Sequence, residues 1–154
     1  MNAPPTTSML RALPAEYRER LMRTPREVSF RPGTRLFEEG GRAERFWIVR
    51  SGTVDLDLRV PGGRAIVETL GPDELIGWSW LFTPHVWHLG AEATTAVRAH
   101  EFDAAAVRSM CRDDPALGLT VAQWVGGILT HRLCSARTRL LDLYAPRDGG
   151  GSLR

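Results

Sequence analysis

The chain has 154 residues, enough for one domain with a helical extension and too few for several independent cores. An apolar fraction of 43% supports a packed interior, and a net charge of +2 is too small to imply nucleic acid as a partner on charge alone. All 20 basic residues are Arg, a uniformity that argues against any local purpose.

Met1 to Thr7 is rich in Pro and Thr and is expected to be a disordered tail over 1–7, without the apolar core of a signal peptide. Ser8 can cap a helix that Pro14 extends. Leu10, Leu13, Tyr17 and Leu21 recur at helical spacing, and Pro25 ends the run. From Arg26 the period changes to two. Val28 and Phe30 alternate with polar neighbours, Pro32-Gly33 is a tight turn, and Leu36-Phe37 begins a further strand. Phe46-Trp47-Ile48-Val49 is continuously apolar, which predicts a strand buried on both faces. Val54, Leu56, Leu58 and Val60 alternate, and Ala65 to Leu70 forms another strand.

Residues 71–93 interrupt this pattern. Gly71 to Gly77 is a turn and a short apolar run. Trp78-Ser79-Trp80-Leu81-Phe82 is compact and Trp-rich, and Thr83-Pro84 breaks it. A short helix entered through a Gly turn inside an all-β stretch presents backbone N–H groups to a ligand. Val86 to Ala93 and Ala96 to Phe102 are the last predicted strands. Short strands with Gly or Pro turns at regular spacing predict a closed roll or sandwich.

The remainder reads as helix. Asp103 caps a short helix to about Cys111, and Asp114-Pro115 opens a long one that runs to Tyr144. Ala122, Gly126, Leu129, Leu133, Ala136, Leu140 and Leu143 form a four–three seam suited to a second helix. Leu117, Val121, Trp124 and Ile128 form another stripe, suited to the roll. The expected divisions are a tail over 1–7, helix and roll over 8–112, a long dimerisation helix over 113–144 and a flexible tail over 145–154. Cys111 and Cys134 make no CxxC pair and read as free thiols in a reducing cytoplasm. No run is long enough to span a membrane, so the expectation is a cytoplasmic protein without membrane partners.

Several words in this order resemble the cyclic-nucleotide-binding domain of the catabolite-activator (Crp/Fnr) family. Phe30-Arg31-Pro32-Gly33 with Leu36-Phe37-Glu38-Glu39-Gly40 resembles its opening hairpin. Phe46-Trp47-Ile48-Val49-Arg50-Ser51-Gly52-Thr53-Val54 resembles its second hairpin, and Leu70 to Gly77 its entry into the phosphate-binding cassette. The resemblance implies a mainly β fold with flanking helices: a jelly-roll-like β-roll followed by a long C-terminal helix. The same resemblance places a ligand pocket at Gly77, Trp78, Ser79, Trp87, His88 and Glu92, with Thr130 and His131 on the long helix.

The cassette departs from the family where the ligand would sit. The Glu that accepts from the ribose 2′-hydroxyl is replaced by Trp78, and Trp87 or His88 falls where an Arg pairs with the cyclic phosphate. An indole neither accepts a hydroxyl proton nor carries a cation. Loss of a charge-assisted hydrogen bond, worth ~1.5–3 kcal/mol, predicts at least about a tenfold fall in cyclic-nucleotide affinity. A protonated His88 would restore part of that cation. Glu92, an even number of residues further along the same predicted strand, is expected on its face to support it.

The expected function is a sensory or regulatory module, not an enzyme, with cyclic-nucleotide binding altered or lost. The alternatives are a ligand-free dimeric interaction module and a genuine cAMP-binding protein. A homodimer through the long helix, a partner protein and a small-molecule effector are the partners considered. The family's DNA-reading helix–turn–helix has no counterpart after Tyr144, so no direct DNA binding is expected. His85, His88, His100 and His131 form no haem or metal pattern: His85 and His88 are separated by two residues, and no carboxylate follows at cupin spacing. No cofactor is expected.

Overall fold

The computed structural model describes residues 13–145. The predicted tail over 1–7, the helical start at Ser8 and Leu10, and residues 146–154 of the C-terminal tail lie outside the described residues. Pro14 sets the entry to helix α1 (Ala15–Leu21), which buries Leu21 against the body. Arg20 on this helix bonds Asp114 at 2.6 Å and ties it to the start of the long helix.

Eight strands form two antiparallel four-stranded sheets. β1 (Arg26–Phe30), β3 (Arg45–Ser51), β6 (Leu75–Ile76) and β8 (Val97–Asp103) make one, in the order β1-β8-β3-β6. β2 (Arg35–Phe37), β4 (Val54–Val60), β5 (Gly63–Leu70) and β7 (Gly90–Ala93) make the other, in the order β2-β7-β4-β5. Their inner faces enclose the core. Phe46 to Val49 is buried along its whole length, as a run without alternation predicts. Phe46 stacks on Phe102, ring centres 4.6 Å apart.

Two predicted strand patterns change. Of the four alternating apolar residues of β4, only Val54 and Leu56 are buried. Leu58 and Val60 are partly exposed, and Asp57, on the opposite face, is buried instead. The strand from Val86 shrinks to Gly90–Ala93, and Val86 keeps a single bridge to Arg42. A side-chain period of two holds only while the backbone stays in the ladder, so residues 86–89 escape it.

The helical half follows its caps. Asp103 accepts from the Ala106 N–H at 3.3 Å and starts α2 (Ala104–Asp113). Asp114 accepts from Leu117 N–H at 3.2 Å, Pro115 occupies the first turn, and α3 runs Pro115–Tyr144. Leu117, Val121, Trp124, Val125 and Ile128 are buried in the common core, and the helix packs along α2. Beyond them the seam is open: Leu133 is 61% exposed and Leu143 82%. No helix among the described residues is long and apolar enough to cross a membrane.

Candidate functional site

The cassette begins where β6 pairs with β3 and Gly77 turns the chain at φ +92°. A Cβ on Gly77 would stand 2.6 Å from the Trp87 ring, so the bare backbone is what lets that indole approach. The expected short helix is a single 3-10 turn, Ser79–Leu81. Three residues build no aligned dipole. Two N–H groups are also used internally: Leu81 donates to Trp78 O at 3.1 Å and Phe82 to Ser79 O at 3.3 Å. The turn is clamped from within and from behind. Trp80 is fully buried on Phe46 at 4.0 Å and donates from Nε1 to Gly77 O at 3.1 Å, while Arg108 of α2 donates to Trp80 O at 2.7 Å.

The other two indoles line a cavity. Trp87 stacks on Phe37 of β2 at 3.8 Å between ring centres. Half-buried Trp78 stacks on His88 at 4.9 Å, and His88 Nδ1 lies 3.1 Å from the buried Ser79 Oγ. Gly77, Trp78, Ser79, Trp87 and His88 therefore meet at one place, lined also by Phe37, Leu56, Leu89 and Arg132. The free volume there is about 20 Å³, close to one water molecule.

Glu92, Thr130 and His131 are not among the residues lining this cavity. Ala91 of β7 is in the core, so Glu92 points out through the opposite face of the sheet. Its carboxylate lies 3.8 Å from Arg35 Nη1, and no ion pair joins it to His88. The expected pairing fails because His88 precedes the strand, where alternation has not begun. Thr130 is exposed and bonds Gly126 O at 2.8 Å, and His131 is half-buried beside it.

Arg132 is the residue that pattern reading missed. Each helical residue advances by 100°, so four residues beyond buried Ile128 the stripe returns to the roll at Arg132. A lone charge at the end of an apolar stripe was the available signal. Nη2 donates to Leu75 O, Nε lies 3.7 Å from Glu68 Oε2, and Nη1 is buried with no partner. Burial pulls the guanidinium pKa below its usual value, against the opposing pull of Glu68 and Glu74.

A larger groove, about 540 Å³, runs past Thr24, Arg26, Arg45 and Glu101 on the other sheet. Its buried carboxylate, Glu101, already accepts from Arg26, Arg45 and Trp47 Nε1. Among the described residues no three His, Cys, Asp or Glu side chains group as a metal site, and Cys111 and Cys134 are free thiols.

Residues 27–114 match the family model described as the cyclic nucleotide-binding domain. The chain belongs to that family. It is 32% identical over 117 residues to the CRP-like cAMP-activated global transcriptional regulator of Mycobacterium tuberculosis (strain CDC 1551 / Oshkosh), an alignment covering 75% of this chain and 50% of that one. The chain thus spans about half the length of the curated relatives it matches. Among solved structures it is similar to the N-terminal domain of a transcriptional regulator from Streptomyces coelicolor A3(2), at 27% identity and TM-score 0.67, covering 80% of this chain and 89% of that one. A cyclic nucleotide-binding domain from Methylobacillus flagellatus KT shares the fold at 16% identity and TM-score 0.77, covering 89% of this chain and 81% of that one. The family's domain is therefore present here, as a β-roll with flanking helices.

Proposed function

We propose that this chain is a Crp-family sensory module whose cassette pocket is closed to cyclic nucleotides in the usual binding mode. The observation that carries this reading is the cavity volume of about 20 Å³, against the ~300 Å³ or more typical of small-molecule pockets. Trp87 occupies the space, held by its stack on Phe37 and by the bare face of Gly77. Trp78 replaces the carboxylate that would take the ribose, and the cassette turn consumes two of its own N–H groups. The competing reading is a retained cAMP site, favoured by the name of the Mycobacterium relative.

Calorimetric titration of cAMP and cGMP at about pH 7 separates the two readings, because a filled pocket leaves no room for the nucleotide. The expected result is no micromolar binding by the wild type at pH 7 and recovered binding in Trp78→Glu/Trp87→Arg. Micromolar binding by the wild type at pH 7 establishes the competing reading.

The proposal extends to assembly. The exposed seam from Leu133 to Leu143, with Gly126 allowing close approach, supports a homodimer through α3. Light scattering is expected to give twice the chain mass for the wild type and the chain mass for Leu133→Glu. A monomeric wild type at micromolar concentration removes this part of the proposal.

A further inference from the structure

We propose that Arg132 makes the closed cassette cavity a binding site for a small carboxylate of about acetate to propionate size, an inference that rests on the closed-pocket reading above. The guanidinium has five donors in a fixed fork. Here one of them meets a backbone carbonyl, Leu75 O, and Nη1 is shut from solvent with nothing to donate to. Glu68 forms an ion pair with the guanidinium, nearest at Nε and 3.7 Å, but gives it no hydrogen bond. Arg remains charged even where burial lowers its pKa. A buried cation with an unmet donor is among the least favourable arrangements in a folded protein, and an anionic acceptor relieves it.

The same cavity supplies a second polar contact and an apolar wall. Ser79 Oγ is buried there, and its partner His88 is an exposed ring held by that one hydrogen bond and by stacking on Trp78. Outward rotation of His88 frees the hydroxyl and enlarges the space. One carboxylate oxygen can then accept from Arg132 and the other from Ser79, with the ligand's short apolar end against Phe37, Leu56 and Trp87. Size excludes a nucleotide, and the apolar wall favours an organic acid over an inorganic anion. The cation that the family's strand position lacks here would come instead from the long helix.

The test is a fluorescence titration of the full chain, since Trp78 and Trp87 line the cavity and report directly on it. Acetate and propionate are added at constant ionic strength, with chloride as the control. A saturable change with both carboxylates and none with chloride is expected. The affinity should fall at least about tenfold in Arg132→Gln and several-fold in Ser79→Ala. No saturable response up to about 100 mM, an equal response to chloride, or unchanged affinity in Arg132→Gln overturns the inference. Should Arg132→Gln fail to fold by circular dichroism, unchanged affinity in Ser79→Ala overturns it instead. Parallel titration with cAMP separates the two levels: micromolar cAMP binding defeats the closed-pocket reading, whereas silence toward both cAMP and carboxylates defeats this inference alone.

Discussion

Arg35 and Arg132 are both largely buried guanidiniums, 20% and 13% exposed, yet they sit in opposite electrostatic situations. Arg35 forks onto Asp57, with Nη2 at 3.0 Å from Oδ1, and bonds Glu38 from Nε at 2.8 Å, with Glu92 close by. Its pKa is raised, first by the Asp57 hydrogen bond. Gly90 leaves the room, because a Cβ there would collide with both Arg35 and Asp57. Arg132 has one carbonyl, an ion pair to Glu68 at 3.7 Å without a hydrogen bond, and an unmet Nη1, and its pKa is lowered by burial against the pull of Glu68 and Glu74. The same side chain is a rivet in one place and an incomplete contact in the other. What differs is whether acceptors were folded in with it.

Breaking each site tests that contrast. Asp57→Ala removes the bidentate acceptor and leaves Arg35 half-paired under the sheet, so urea unfolding should show a loss of about 3 kcal/mol. Arg132→Met should change stability by less than about 1 kcal/mol in buffer without organic acids, or raise it, since the lost carbonyl contact is offset by the removed burial cost. A loss as large as that of Asp57→Ala would make Arg132 a second rivet and erase the distinction.

The smallest expected effect sharpens the same point in a neutral group. His100 on β8 has its pKa lowered, mainly by burial and secondarily by Arg50. The unfolded chain therefore takes up its proton more readily than the native state. The contribution of His100 to stability is present above the ordinary histidine value of about 6.5 and is lost as pH falls from there toward its lowered native value. Thermal unfolding between about pH 7 and pH 5.5 should show a shallower pH dependence in His100→Gln than in the wild type.

The sequence by itself determined most of the elements and most of the core. Continuous apolarity from Phe46 to Val49 marked a doubly buried strand, Asp103 and Asp114 marked their helix starts, and the Leu117–Ile128 stripe marked the buried face of the long helix. These signals are local: capping and periodicity act over a few residues. Of the candidate residues, Gly77, Trp78, Ser79, Trp87 and His88 do converge on one cavity. Only the tertiary structure decided which way two polar candidates turned and what joined from afar. Glu92 went through the sheet to Arg35, Thr130 stayed on its own helix, and Arg132 arrived beneath Leu75, 57 positions away in sequence. Long-range partners depend on how sheets and helix pack around one core, and no short window of sequence encodes that distance.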